Sequence, residues 1–181
     1  MSRIGKNPIL LPEGVRAEIM NGGIVHVAGP KGALAHKLHE GIAAKLVGDT
    51  LQVFPTQESR KHRALWGLNR TLVANMVEGV HRGFRKGLEI VGVGYRAEMR
   101  EDGLHVSVGY SHPVVFRLPD GVRASVERQV YISLEGIDKY LVGETAARIR
   151  RVRPPDSYKG KGIRYQGEVL KLKESKKSAK K

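Results

Sequence analysis

Apolar and polar residues alternate in two similar stretches of the chain. Residues 12–19 (PEGVRAEI) match residues 119–126 (PDGVRASV), and the same offset of 107 places residues 24–29 on residues 131–136. In each stretch, two alternating segments flank a short polar turn, which is typical of a half-buried β-hairpin. Two matches in one register indicate a duplicated domain, and the spacing is far too long for a solenoid repeat.

The first half continues with more strands and then a helix. Residues 31–54 predict further strands, which break at Gly41 and at residues 48–49. Apolar residues then recur at three- and four-residue spacing between residues 65 and 80, the pattern of an amphipathic helix. Thr56 is the expected N-cap of this helix.

The second half predicts a hairpin followed by a helix. Residues 95–100 and 104–110 flank the sequence Glu-Asp-Gly, which is a strong hairpin signal. A helix is expected from Asp138 to about Arg153, because the two prolines at 154–155 cannot continue it.

These elements predict an α+β protein with two duplicated domains. Each domain is expected to be an antiparallel sheet packed against one main helix. The expected boundaries are 1–82 for the N-terminal domain and 83–175 for the C-terminal domain, with a short basic tail at 176–181.

Composition excludes several classes of protein. The chain has no cysteine, which excludes disulfide scaffolds, thiol nucleophiles and cysteine-ligated zinc. No apolar run approaches the roughly 18 residues that a membrane span requires. The N-terminal residues lack the apolar segment of a signal peptide. We therefore expect a soluble cytoplasmic protein with no membrane partner.

Positive charge is concentrated near the C-terminus. The formal net charge is +14, from 32 basic and 18 acidic residues. Residues 148–181 contain thirteen basic and three acidic residues, so they carry +10 and residues 1–147 carry +4. Residues 176–181 alone are typical of a solubilising tail. The rest of the segment mixes its charges with apolar residues, and a one-sided basic field on a folded surface indicates nucleic-acid binding.

No constellation of catalytic or metal-binding residues is evident. His36 and His39 are close in sequence but lack a second ligand pair for zinc. Residues 92–94 (GVG) resemble the start of a dinucleotide fingerprint, but residue 97 is alanine and no parallel βαβ unit surrounds it. We expect no enzyme, no metal, no cofactor and no small-molecule substrate.

The sequence PPDSYKGKGIRY at 154–165 has the composition of an anion-binding loop. Tyr158 offers an aromatic ring for stacking on a base, and Lys159 and Lys161 supply mobile charges. Gly160 and Gly162 would allow the backbone to approach closely and to turn its N–H groups towards phosphate oxygens. The alternative is an ordinary glycine turn with solvated lysines.

Neighbouring arginines extend this predicted interface. Arg148 and Arg151 lie about one turn apart on the preceding helix and would widen the basic patch. The predicted nucleic-acid-binding residues, all in the expected C-terminal domain, are Tyr158, Lys159, Gly160, Lys161, Gly162, Arg164, Arg148, Arg151 and Arg153.

The chain resembles bacterial large-subunit ribosomal protein six over nearly its whole length. The matching motifs are residues 1–6 (MSRIGK), 29–32 (GPKG), 92–97 (GVGYRA), 109–114 (GYSHPV) and 158–165 (YKGKGIRY). The last motif is similar to the diagnostic signature of that family, whereas the tail after Leu172 is only loosely related to family tails.

The resemblance implies two duplicated α+β domains and a structural, non-enzymatic role without a cofactor. It implies binding to large-subunit (23S) rRNA near the sarcin–ricin loop, at the base of the stalk where translation factors dock. The implied partners are large-subunit rRNA and neighbouring ribosomal proteins, with translation factors nearby, in the cytoplasmic large ribosomal subunit.

Basic charge alone also fits a DNA-binding protein of the nucleoid or regulatory type. However, neither predicted helix has the character of a recognition helix, because the first needs its apolar face for its own sheet and the second is short. Loops of glycine and lysine suit the backbone and wide minor groove of A-form RNA better.

Overall fold

The computed structural model describes residues 2–57 and 59–173, so the predicted tail at 176–181 lies outside the described residues. Within them the helices are α1 (Arg3–Lys6), α2 (Arg60–His81) and α3 (Lys139–Val152). The strands are β1 (Ile9–Leu10), β2 (Arg16–Met20), β3 (Ile24–Gly29), β4 (Gly32–Lys37), β5 (Ile42–Val47), β6 (Thr50–Pro55), β7 (Phe84–Val91), β8 (Arg96–Arg100), β9 (Gly103–Ser107), β10 (Val114–Phe116), β11 (Val122–Glu127), β12 (Tyr131–Gly136) and β13 (Gly162–Tyr165).

The chain divides into two compact units. Unit 1 contains Met1–Phe84 and Ile137–Lys139, and unit 2 contains Arg85–Gly136 and Tyr140–Lys181. The α+β class and the duplication are confirmed. Each unit also divides its strands between two sheets, a detail that the alternation of residues does not reveal.

In unit 1 the sheets have the strand orders β2-β3-β4 and β1-β6-β5, and their pairs are antiparallel. The predicted breaks at Gly41 and at residues 48–49 are confirmed, because they separate β4, β5 and β6. The α2 helix packs its apolar face on these strands, and Val73 and Val80 are fully buried in the same core as Val27 and Leu51. Burial of this face stabilises the helix more than its intrinsic propensity does.

The predicted N-cap of α2 is wrong. The helix begins at Arg60, and the Ser59 Oγ accepts a hydrogen bond from the backbone N–H of His62 at 3.2 Å. The N–H of Thr56 donates instead to the carbonyl of Gly41 at 2.9 Å. Thr56 therefore belongs to the end of the strand pairing, and the next competent cap, Ser59, starts the helix.

In unit 2 the sheets have the orders β10-β9-β8 and β11-β12-β7-β13. The predicted hairpin is confirmed, with β8 and β9 paired antiparallel up to Arg100 and Gly103. The α3 helix buries Val142, Ala146 and Ile149 in the core of this unit. The strand β13 then pairs antiparallel with β7, so the chain after α3 returns to the sheet.

The register of the duplication differs from the predicted offset of 107. In strand order, β2-β3-β4 corresponds to β8-β9-β10, and β1-β6-β5 corresponds to β7-β12-β11. The strands β2 and β8 begin 80 residues apart, at Arg16 and Arg96, and both read Arg-Ala-Glu. The offset of 107 instead matches β2-β3 with β11-β12, which are not equivalent hairpins, so that register is wrong.

A recurrent turn explains the misleading match. The N–H of Val15 donates to the carbonyl of Pro12 at 3.1 Å, and the N–H of Val122 donates to that of Pro119 at 3.1 Å. A backbone hydrogen bond between residues three positions apart also precedes β5 and β8. There the N–H of Ile42 donates to the carbonyl of His39, and the N–H of Tyr95 donates to that of Gly92. The 107-residue match therefore compares two of several similar turns that precede strands, and these two are not the pair that the duplication relates.

Candidate nucleic-acid interface

The predicted interface lies in unit 2, between the end of α3 and the start of β13. Pro154 and Pro155 follow the helix, and proline cannot supply the backbone N–H that a further turn needs. The N–H of Ile163 donates to the carbonyl of Arg153 at 2.7 Å, which joins the two ends of the loop. The loop is thus anchored on the sheet at one end and on α3 at the other.

Asp156 organises the interior of this loop. Its Oδ2 accepts hydrogen bonds from the backbone N–H groups of Lys159 at 2.9 Å and Tyr158 at 3.2 Å. Its carbonyl accepts from the N–H of Gly160, and its own N–H donates to the carbonyl of Lys161, both at 2.9 Å. These contacts, chiefly that of the Lys159 N–H, hold the pKa of Asp156 below its usual value. The carboxylate therefore stabilises the turn of the loop through these hydrogen bonds.

The two glycines of the loop face inward. Gly160 and Gly162 are both buried. A Cβ at Gly162 would lie 2.6 Å from the Pro154 carbonyl oxygen and 2.7 Å from that of Arg153, at a backbone φ of +141°. The interpretation that the Gly160 N–H turns towards phosphate is wrong, because this group is already donated to Asp156. The glycines instead allow the close turn that presents the lysines.

Several predicted side chains are exposed and available to an anion. Lys159 and Lys161 are exposed, and Tyr158 is 57% exposed. Arg148 is also exposed and makes no ion pair within the described residues. Arg151 lies 4.0 Å from a Glu144 carboxylate oxygen across an exposed pair, which contributes little in water.

Arg153 is exposed, and its side chain packs on Tyr110. Its guanidinium lies over the ring of Tyr110, 5.6 Å from the centroid. Hydrogen bonding with the Tyr110 hydroxyl, followed by the interaction with Tyr95, raises the pKa of Arg153. Arg153 therefore presents its cation against the Tyr110 ring beside the loop.

Arg164, in contrast, is neutralised within the fold. Its Nε and Nη2 each lie 2.9 Å from Oε2 of Glu89 on the neighbouring strand. Arg150 is likewise paired with Glu168, at 2.6 and 3.2 Å. The structure does not place Arg164 among the exposed cations that the sequence grouped with it.

Two lysines and a tyrosine near the loop are absent from the interface residues that the sequence predicts. The N–H of Lys173 donates to the carbonyl of Ser157 at 2.8 Å, which ties this segment to the loop, and Lys171 and Lys173 are exposed. Tyr110 lies far away in sequence and reaches the end of α3 through its hydroxyl. The basic composition after residue 165 could have indicated the lysines, whereas nothing local indicates Tyr110.

We call the exposed set the α3-end surface, defined by Arg148, Arg151, Arg153, Tyr158, Lys159 and Lys161. Its cations face solvent, while the nearby acids Asp156, Glu168 and Glu89 are occupied by backbone N–H groups or by other arginines. Uncompensated positive charge of this kind attracts polyanions. Within residues 2–57 and 59–173, no group of three or more His, Cys, Asp or Glu side chains could hold a metal ion. No helix in the part of the chain that the structure describes is both long and apolar enough to cross a membrane.

Comparison with known proteins gives one consistent family. The family model described as Ribosomal protein L6 matches residues 11–83 and 91–166. The two matched segments begin 80 residues apart, in agreement with the strand order. A large ribosomal subunit protein uL6 from Solidesulfovibrio magneticus is 51% identical over 181 residues, which cover 100% of both chains. A protein with the same name from Xanthobacter autotrophicus is 49% identical, over 98% of this chain and 99% of its own. Another, from a Synechococcus strain, is 54% identical over 97% of each chain.

Proposed function

The chain belongs to the ribosomal protein L6 family, and from this premise we propose that its α3-end surface binds large-subunit rRNA directly. As a member of this family, the protein is a structural, non-enzymatic constituent of the large ribosomal subunit. It forms a complex there with rRNA and other ribosomal proteins.

The observation that carries the proposal is the division of the basic residues into two groups. Arg150 and Arg164 are paired with carboxylates and are partly buried. Arg148, Lys159 and Lys161 are exposed and form no salt bridge within the described residues. A cation that is not needed by the fold and is not neutralised by it favours a role in binding an external anion. Phosphates of rRNA are the anions that a ribosomal protein meets in greatest number.

We also propose that the bound rRNA lies near the sarcin–ricin loop, at the base of the stalk, with translation factors nearby. The support is the sequence resemblance at residues 158–165, which form most of the loop and strand next to the α3-end surface. A-form RNA fits this surface because exposed lysines on a turn can contact phosphates on both sides of a wide, shallow minor groove. The glycine and aspartate contacts fix the turn before binding, so the loop backbone loses little conformational entropy when it binds.

Salt dependence of binding to an rRNA fragment tests this proposal. The full-length protein is titrated with a fragment of large-subunit rRNA that contains the sarcin–ricin hairpin, over a series of salt concentrations. About five phosphate contacts would give a log–log slope of roughly −3.5 to −4.5. A slope near zero would refute electrostatic binding. Equal affinity for a DNA duplex of matched sequence would favour the DNA-binding alternative.

Hydroxyl-radical footprinting of the same protein on large-subunit rRNA tests the location. We expect protection to include the sarcin–ricin hairpin. Protection confined to other helices, with the steep salt dependence retained, would reject this location and keep rRNA binding.

A further inference from the structure

Tyr110 is an exposed aromatic residue that is fixed at its polar end. It follows β9, and its hydroxyl donates a hydrogen bond to the carbonyl of Val152 in α3 at 2.8 Å. It is nevertheless 49% exposed. An aromatic side chain that is both ordered and exposed offers a stacking surface with little entropy left to lose.

Tyr95 supports the segment that carries Tyr110. An ideal Cβ at Gly109 would lie 3.1 Å from the Tyr95 ring, at a backbone φ of +82°. On the other side, a Cβ at Gly92 would lie 2.6 Å from the same ring. The Tyr95 ring therefore fits between two glycines, and a side chain at either position would displace it. This packing fixes the backbone immediately before Tyr110.

Arg153 joins this pair of tyrosines to the α3-end surface. Its guanidinium lies over one face of the Tyr110 ring, 5.6 Å from the centroid, and its side chain stays exposed. A guanidinium has five N–H donors. A contact with one tyrosine hydroxyl leaves others free for a phosphate. The carbonyl of Arg153 accepts from Ile163, so the residue is fixed by its backbone as well.

From these contacts we propose that Tyr110 and Arg153 form a fixed platform for one unpaired nucleotide of rRNA. The base stacks on the open part of the Tyr110 ring, and the Arg153 guanidinium contacts the adjacent phosphate. This inference rests on the proposed rRNA binding. It adds that one segment of the bound RNA is unpaired, because a base inside an A-form helix cannot stack on a side chain.

Tyr158 provides the comparison. It is 57% exposed, but its hydroxyl has no hydrogen bond within the described residues. The Tyr158 hydroxyl is therefore not anchored within the described residues, whereas that of Tyr110 is. Of the two exposed tyrosines near the α3 end, we assign the stacking role to Tyr110.

Fluorescence of 2-aminopurine tests the platform. The probes are a set of rRNA hairpins, each with one 2-aminopurine at a different loop position, and a fully paired duplex that carries the same base in its stem. The full-length protein is expected to change the fluorescence at one loop position and not in the duplex. Tyr110→Leu should abolish this change and weaken binding to that hairpin about 10-fold, since stacking of one base changes the affinity roughly 5- to 150-fold. Tyr140→Leu, at the exposed start of α3, is the control and should change neither measurement.

Two further variants separate stacking from support. Tyr110→Phe keeps the ring but loses the hydroxyl contacts to Val152 and Arg153, so the fluorescence change should persist with weaker affinity. Arg153→Ala should lower the affinity and reduce the salt slope while the fluorescence change persists. Thermal unfolding of each variant shows whether it is folded.

The outcomes distinguish this inference from the proposed function. If hairpin and duplex bind equally, with a steep salt slope and no fluorescence change at any loop position, the platform is refuted and electrostatic rRNA binding stands. The platform is also refuted if Tyr110→Leu leaves a fluorescence change intact. If neither RNA binds with salt dependence, rRNA binding by the α3-end surface itself is refuted.

Discussion

Arg164 and Glu89 face each other across two paired strands. They are direct partners in the register of β13 and β7, and two nitrogens of the guanidinium lie 2.9 Å from one carboxylate oxygen. Both side chains are less than one-third exposed. An arginine inside the most diagnostic motif of the chain therefore stabilises the sheet that carries the loop.

Replacement of Arg164 by alanine should affect stability more than RNA binding. Glu89 would be left partly buried without its partner, so we expect the free energy of unfolding to fall by about 1–3 kcal/mol. The salt slope of rRNA binding should stay the same, because the removed charge was already neutralised. Urea denaturation and salt titration measure the two effects. Lys161→Ala is the matched control and should show the reverse pattern, and a reduced slope in Arg164→Ala at unchanged stability would contradict this assignment.

The pH dependence of stability should report the Arg150–Glu168 pair. The hydrogen bonds from Arg150, followed by the one from the Tyr165 N–H, hold the pKa of Glu168 below its usual 4.5. The carboxylate therefore prefers the folded state when it is charged. This stabilisation is present above the unfolded pKa and is lost as the pH falls through the lower folded pKa.

Replacement of Glu168 by glutamine should therefore lower the stability of the protein at neutral pH but not in acid. We expect Glu168→Gln to lower the free energy of unfolding by about 1–2 kcal/mol near neutral pH, for a pair that is partly exposed. The difference from the unmodified protein should shrink as the carboxylate titrates in acid. Urea denaturation at several pH values measures it, and a difference that is equal at neutral and acidic pH would contradict the assignment.

Local patterns of the sequence predicted the elements well because their causes are local. Hairpins, strand breaks and the end of α3 depend on alternation, on glycine in turns and on prolines that follow within a few residues. The duplication was also detectable, since Arg-Ala-Glu at residues 16–18 recurs at residues 96–98 with the correct offset of 80. The longer match at an offset of 107 obscured it, because the same turn precedes several strands.

The candidate site was less predictable because its contacts are distant in sequence. The partner of Arg164 is 75 residues away, and Tyr110 is 42 residues from the carbonyl of Val152 that accepts its hydrogen bond. Which arginine meets an acid depends on strand register, which composition does not contain. The sequence could therefore place the basic segment but could not separate the exposed cations from those paired in the fold.

Gly162 should be required for folding of the loop. A Cβ there would approach two carbonyl oxygens within 2.7 Å, at a φ of +141°. Gly162→Ala should therefore lower the free energy of unfolding by about 2–4 kcal/mol, from backbone strain and steric overlap together. Gly167 is the matched control, because its φ is +79° but nothing lies within 4 Å of its Cβ position. Gly167→Ala should lower the free energy of unfolding by only about 1 kcal/mol. If thermal unfolding shows the same loss of stability in both variants, the steric overlap at residue 162 does not contribute.

The affinity for rRNA should depend on where a positive charge lies as well as on how many there are. Residues 148–181 carry +10, against +4 for residues 1–147. The double variant Lys159→Ala/Lys161→Ala removes two exposed charges from the α3-end surface. The double variant Lys61→Ala/Arg63→Ala removes two exposed charges from the first turn of α2, where a solvated helix face explains them. The two variants change the net charge equally, so any difference between them reflects position.

We expect the Lys159/Lys161 double variant to reduce the salt slope of binding to the sarcin–ricin fragment by about 1.4–1.8, because each phosphate contact contributes about 0.7–0.9. The Lys61/Arg63 double variant should change the slope only slightly. Stability should change by less than about 0.5 kcal/mol in both, since all four side chains are exposed. Equal reductions of the slope would show that affinity follows total charge. A larger reduction in the Lys61/Arg63 variant would move the interface to unit 1, because the start of α2 would then bind more rRNA phosphates than the loop does.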